Sequence, residues 1–175
     1  MFHRTQRLFL RPIWPEDWQA IYHGIADEGV VRNLARAPWP YEQDHARDFA
    51  ALPHDPVNPR FLITLPGNGE PVGCIGIDPH EGEAEMGYWI ARDHWAKGFA
   101  TEAGQAVLEI ARMMGHARMV ASHYIDNPAS GRVLRKLGFL PTGQTETRMC
   151  LGRGEKVQAT AYALSLDSTE SLRAA

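Results

Sequence analysis

A run of strand character, Glu85-Met86-Gly87-Tyr88-Trp89-Ile90-Ala91-Arg92, leads into His94-Trp95-Ala96-Lys97-Gly98-Phe99-Ala100-Thr101-Glu102-Ala103, and an amphipathic helix follows. This order of strand, glycine-containing loop and helix start constrains the chain more than any other stretch, because it is also a recipe for holding a phosphate. A helix N-terminus offers unpaired N–H groups and a partial positive charge. Gly98 lets the backbone approach a ligand closely, since it has no side chain and tolerates unusual dihedrals. Lys97 adds a full positive charge at the mouth. A plain strand-to-helix connector has the same local sequence, so the rest of the chain must decide.

The 175 residues suit one domain. A hydrophobic share of 44% and a charged share of 22% are ordinary for a globular protein. The net charge of -3 argues against bulk attraction to nucleic acid or membrane, so an anionic ligand must find a local basic site. No apolar run approaches a membrane span, and Met1 to Arg7 lacks the apolar core of a signal peptide. Cys74 and Cys150 lie far apart without a Cys-x-x-Cys spacing, which points to a reducing cytoplasm rather than to a disulfide or zinc. His80-Glu81-Gly82-Glu83-Ala84 breaks the zinc-protease pattern at its last position, and no metal site is expected.

In chain order, Arg7 to Ile13 reads as a strand with Leu8 and Leu10 on one face. Trp14-Pro15-Glu16-Asp17 opens a helix, with Pro15 in the first turn and two acids at its positive end. Trp18, Ile21, Tyr22 and Ile25 give that helix a buried face. A second short helix is expected over residues 27 to 36. Prolines make a loop of Ala37 to Tyr41, and a third helix spans Tyr41 to Leu52 with Ala46, Phe49 and Ala50 inward. Arg60 to Leu65, Val72 to Ile77 and Glu85 to Arg92 then read as three consecutive antiparallel strands, the first two joined by Pro66-Gly67-Asn68-Gly69-Glu70-Pro71. The helix over 101 to 114 places Ala103, Val107, Ile110, Ala111 and Met114 on one side. A strand from Arg118 to Ile125, a helix opened by Asn127-Pro128 and closed by Gly138, a strand from Phe139 and a final pair between Thr145 and Leu166 complete the chain. Residues 167–175 are polar and small and are expected to fray. The outcome is a mixed α/β sheet, mostly antiparallel, with helices on both faces.

These segments resemble the GNAT superfamily of acyl-CoA-dependent N-acyltransferases. Trp95-Ala96-Lys97-Gly98-Phe99-Ala100 is similar to that family's pyrophosphate loop, Gln/Arg-x-x-Gly-x-Gly/Ala. Asn127-Pro128-Ala129-Ser130 followed by Leu134-Arg135-Lys136-Leu137-Gly138-Phe139 resembles its second motif. Thr5-Gln6-Arg7-Leu8-Phe9-Leu10-Arg11-Pro12, with Glu16-Asp17, resembles the N-terminal signature of the RimJ/RimL-like branch, which includes acetyltransferases of ribosomal-protein N-termini and of free amines. The likeness spans nearly the whole chain and implies one acyl-CoA N-acyltransferase domain over 1–175. Two positions depart from the pattern. Trp95 stands where Gln or Arg is usual. Leu134 stands where many relatives carry a tyrosine that protonates the leaving thiol.

Acyl transfer to an amine needs a held donor, a neutral amine, oxyanion stabilisation and a proton for the thiolate. The resemblance implies acetyl-CoA as co-substrate, with its pyrophosphate on the backbone N–H groups of Lys97, Gly98, Phe99, Ala100 and Thr101. Trp95 and Ala96 belong to the same loop. Arg132, Arg135 and Lys136 either meet the nucleotide end or form a solvated face. The resemblance further implies that the strand at Tyr88-Trp89-Ile90 splays from its neighbour and holds the pantetheine arm, while Trp89 is equally a core aromatic. Asn127 is a helix N-cap or a pantetheine contact. Ser130 is the candidate donor to the thiolate, ahead of Tyr124; a surface serine is the plain alternative. Glu85 is the candidate base, before Glu81 and Glu83, which alternate with it along one strand face. His94 and His123 are outside candidates. Trp39 and Tyr41 either wall an acceptor pocket or pack beneath a loop.

The expected activity is therefore transfer of an acetyl group to a primary amine, for example a protein N-terminal α-amine, by direct attack in a ternary complex. Acetylation of a small-molecule amine (antibiotic, polyamine or amino acid) and a non-catalytic acyl-CoA-binding module are the alternatives. No nucleic-acid or membrane partner is expected, and a homodimer is allowed.

Overall fold

A computed structural model describes residues 1–167 of the chain. Strands β1 (His3–Arg4), β2 (Phe9–Pro12), β3 (Arg60–Thr64), β4 (Pro71–His80), β5 (Glu83–Ile90), β6 (Arg118–Tyr124), β7 (Leu140–Cys150) and β8 (Glu155–Ser165) form one sheet. Their order across it is β1-β2-β3-β4-β5-β6-β8-β7. All neighbours run antiparallel except β5 and β6, which are parallel. Helices α1 (Trp18–Ile25), α2 (Glu28–Val31) and α3 (Gln43–Ala50) cover one face. Helices α4 (Phe99–Met113) and α5 (Pro128–Lys136) cover the other.

Because both faces are covered there, β3 and β4 carry buried runs without alternation, whereas β5 and β6 alternate over much of their length. Phe61 and Ile63 of β3 face α4, while Leu62 between them faces α1. On β5, Ala84, Met86 and Ile90 join the α4 side and Trp89 joins the α1 side. Leu8 and Leu10, the expected inward pair, are both fully buried. In α1, Ile21 and Ile25 are buried, with Trp18 and Tyr22 packed partly against the same cluster.

Several boundaries differ from the sequence expectation. The second helix is a single turn, Glu28–Val31, capped by the Asp27 side chain on Val30 N–H. Tyr41 precedes α3 and is buried in the cluster beneath it. Helix α4 begins at Phe99 because Gly98 takes the left-handed conformation at its cap. Residues 140–150 form one long edge strand, with an irregular register between Pro141 and Thr145, where a strand and a separate hairpin arm were expected. Glu81 sits in the β4–β5 turn with φ of 50°, so it does not share the strand face of Glu83 and Glu85. The expected fraying of the tail lies, from residue 168 onward, outside the described residues. No helix among the described residues is long and apolar enough to cross a membrane.

Gly73 of β4 lies against the C-terminal part of β5, where a Cβ would collide with the Trp89 carbonyl oxygen and come within 3.0 Å of Ile90 Cα. Backbone cannot swing aside as a flexible side chain does. Gly73→Ala is therefore expected to lower stability by about 1–3 kcal/mol, the ordinary range for overpacking, measured as a shift in urea midpoint at constant slope.

Candidate active site

The two halves of the sheet meet at only two paired positions, Ala84 with Met119 and Glu85 with Val120. Beyond them β5 continues to Ile90 and β6 to Tyr124 without pairing to each other. The strands splay. Just past β5, Ala91 N–H donates to Val72 O of β4 at 2.9 Å, and with the paired register this makes the odd-numbered residues of β5 the ones that bond to β4. By the alternation of an antiparallel ladder, the backbone groups of Tyr88 and Ile90 point into the gap. Gly87 leaves the opposite face of β5 bare: a Cβ there would meet nothing within 4 Å.

At the C-terminal end of β5 lies the exposed loop Trp95 to Gly98. The Trp95 indole N–H donates to Ile90 O at 2.6 Å and ties the loop to the strand. Ala96 and Gly98 both have positive φ, 59° and 80°. A left-handed alanine is strained by about 1–2 kcal/mol, and such strain gathers where a loop must present its backbone in one particular way. The chain then enters α4, whose first N–H groups have no intrahelical partners. Lys136, from the end of α5, lines the same groove as Gly98 and Thr101.

Tyr88 crosses the splay. Its hydroxyl shares a hydrogen bond of 2.9 Å with Ser130 Oγ on the first turn of α5. Burial raises the Tyr88 pKa above the ordinary phenol value, against the opposing bond from Ser130. The phenol therefore keeps its proton at neutral pH. Ser130 is itself fixed by its N–H, which donates to the Asn127 side chain at 3.3 Å. Asn127 is thus the N-cap of α5.

Residues 7–140 match the family described as "Acetyltransferase (GNAT) domain". The chain belongs to the GNAT acetyltransferase family. It is similar to the uncharacterized N-acetyltransferase YoaA of Bacillus subtilis, with 33% identity over 79% of this chain and 82% of that protein. Among solved structures, a GNAT acetyltransferase from Bacillus anthracis superposes with a TM-score of 0.83 at 26% identity, covering 95% of this chain and 99% of the other. The ribosomal L7/L12 α-N-protein acetyltransferase RimL, solved in complex with coenzyme A, superposes with a TM-score of 0.81 at 21% identity over 96% and 99% of the two chains, a likeness of fold.

In this GNAT chain, the remaining expected site residues fall into distinct places. Ile90 is buried with its carbonyl taken by Trp95, and Trp89 is a core side chain against Gly24 of α1. Phe99 is buried under the loop, where it anchors the start of α4. Arg132 is exposed on α5. Arg135, on the same helix, donates to Tyr162 Oη at 3.0 Å, a partner within the fold. Leu134, at the position of the usual tyrosine, is 1% exposed and belongs to the core beneath α4.

Glu85 and Tyr124 are engaged elsewhere. Both carboxylate oxygens of Glu85 accept from the Arg148 guanidinium, Oε2 at 3.0 Å, and Ser122 Oγ joins the same group. The Glu85 bonds hold the Arg148 pKa above its ordinary value despite burial. The expected base is therefore one half of a part-buried ion pair at the joint of the sheet. Glu83 is likewise paired, with Arg118. The Tyr124 hydroxyl donates to Met149 O at 3.2 Å, and burial beside Cys150 raises its pKa. His123 bonds its Nδ1 to Tyr124 O at 2.7 Å and its ring neighbours Tyr162. His94 Nε2 lies 3.2 Å from Glu70.

The sequence left three participants unmarked: the Tyr88 hydroxyl, Arg148, and the pairing of Thr5 and Arg7 with Glu102. Each depends on a contact across a long sequence separation. Only the N-terminal pair carried a signal, as part of a recognisable signature with no partner assigned.

On the α1 face, a polar staple links the segment after α2 to the β7–β8 turn. Arg153 grips Asp126 through two bonds of 2.8 and 3.0 Å and donates from Nε to Arg32 O at 2.8 Å. Arg32 also reaches Asp126, at 3.2 Å. The Arg153 bonds hold the Asp126 pKa below its ordinary value, more than offsetting burial. A depressed carboxylate pKa contributes stability that is complete above the unfolded value of about 3.9 and fades as pH falls through the folded one. The difference in Tm between wild type and Asp126→Asn should thus hold constant from about pH 7 to 5 and shrink below about pH 4, as followed by thermal melts across pH.

Proposed function

We propose that the chain moves an acetyl group from acetyl-CoA to a primary α-amine, such as a peptide N-terminus, by direct attack in a ternary complex of RimJ/RimL type. The observation that carries this reading is the Tyr88–Ser130 hydrogen bond across the splay, one strand away from an anion-ready helix start. Acetyl-CoA would lay its pyrophosphate on the N–H groups from Lys97 to Thr101, with Lys136 nearby. Its pantetheine arm would run along the open backbone of Tyr88 and the Ile90 N–H, the Ile90 carbonyl being held by Trp95. The thioester supplies an activated acyl group. The amine nitrogen bonds to its carbonyl carbon, the C–S bond breaks, and the sulfur takes the Ser130 hydroxyl proton. Tyr88 replaces that proton through the shared bond and regains its own from water, which takes up the proton that the amine loses.

The acceptor class follows from proton bookkeeping. Glu83 and Glu85 are both paired with arginine. A site of this kind favours an amine that is partly neutral unaided. Roughly a tenth of α-amines are neutral at pH 7, against fewer than about one in a thousand lysine side chains. The amine proton would pass to water. Two buried free cysteines suit a reducing cytoplasm.

Thiol release from acetyl-CoA, with mass spectrometry of the products, tests the reading on peptide N-termini and on free amines side by side. Turnover confined to polyamines or lysine side chains would sink the α-amine assignment; coenzyme A binding without turnover on any acceptor would favour a binding module. Ser130→Ala is expected to lower kcat by about 100-fold and Tyr88→Phe by about tenfold, with KM for acetyl-CoA little changed, as for loss of general-acid help. Glu85→Gln should alter kcat by less than about threefold while lowering the urea midpoint, since its carboxylate is a structural partner of Arg148.

A further inference from the structure

Glu102 poses an electrostatic problem. It sits in the first turn of α4, where the helix end attracts negative charge. A free carboxylate there would compete with, and repel, a phosphate held by the same N–H groups. In this fold it is drawn aside. Glu102 Oε1 accepts from Thr5 Oγ1 at 2.6 Å and from Arg7 N–H at 2.7 Å. Its Oε2 accepts from Arg7 Nε at 2.7 Å. These bonds lower the Glu102 pKa although burial opposes them, so the group is a paired carboxylate at neutral pH.

Arg7 also acts on the loop. Its Nη1 donates to Lys97 O at 2.9 Å, and its guanidinium lies 5.0 Å from the centre of the Phe99 ring. Lys97 O belongs to the peptide just before left-handed Gly98. A carbonyl oxygen facing an anion is repulsive; one bonded to a guanidinium is not. One side chain thus meets both negative features of the loop, the Glu102 charge and the Lys97 carbonyl, from the short connection between β1 and β2.

We propose that Arg7 is a positioning residue for the acyl donor: it neutralises Glu102 and fixes Lys97 O so that the start of α4 accepts a diphosphate. This rests on the donor site described under the proposed function. Arg7 acts through Glu102 and the loop and need not touch the ligand.

Coenzyme A binding to the full chain, measured by titration calorimetry at low and high salt, tests it. Arg7→Ala should weaken binding about tenfold at about 50 mM salt and by much less at about 500 mM, because the exposed Glu102 charge is then screened. The double variant Arg7→Ala/Glu102→Gln should recover binding to within about threefold of wild type, since the repelling charge is gone. Glu102→Gln alone should bind as tightly as wild type or tighter, and it carries the test if Arg7→Ala fails to fold. Kinetically, Arg7→Ala should raise KM for acetyl-CoA and leave KM for the acceptor unchanged. Unchanged affinity in Arg7→Ala overturns the proposal. So does a loss that is equal at both salts and unrescued by Glu102→Gln, which would mark Arg7 as a direct ligand contact or a merely structural tie. Weakened binding in Glu102→Gln alone overturns it too. A wild-type protein that binds no coenzyme A overturns the donor site itself, and the proposal with it.

Discussion

Two parallel residue pairs, Ala84 with Met119 and Glu85 with Val120, hold the halves of the sheet together. Everything at the site depends on how short that joint is. A parallel neighbour requires a crossover, and α4 supplies it, leaving β5 at its C-terminal end and returning to the start of β6. The helix N-terminus is thereby fixed at the carboxyl end of a strand, the region where open sheets receive ligands. Because pairing stops at Glu85, the next backbone groups of β5 face a gap. Pairing through to Ile90 would have closed that gap and left nowhere for an extended ligand to lie. The Glu85–Arg148–Ser122 group sits at the last paired position, with Arg148 arriving from β7. It fastens β5, β6 and the far edge of the sheet at the point where the gap begins.

The central fold was legible because its signals are local. The hydrophobic periods of α1, α4 and α5, the glycine turn before β4 and the proline at the start of α5 each prescribe a structure within a few residues. The loop at Trp95 to Gly98 was legible for the same reason. The long edge strand β7 was not: its residues 140–145 are exposed, so no buried face marks a period, and Pro141 and Gly143 interrupt its strand character. The polar side of the site was harder still. Glu85 looked like a free carboxylate because Arg148 lies 63 residues away in sequence. Ser130 was visible as a candidate, yet its partner Tyr88 was read only for its backbone. Leu134 could be seen to lack a hydroxyl, but its burial under α4 needed the fold.

The polar staple on the α1 face has a consequence for how this enzyme can change. Asp126 belongs to the β6–α5 connection, Arg153 to the β7–β8 turn and Arg32 to the segment after α2. The Cys150 thiol and Leu151 N–H add bonds to Leu34 O and Ala35 O. Three separate loops are thus tied to one another on the α1 face. Loops drift more readily than packed strands and helices. Side chains along these loops can therefore change without disturbing the packed start of α4.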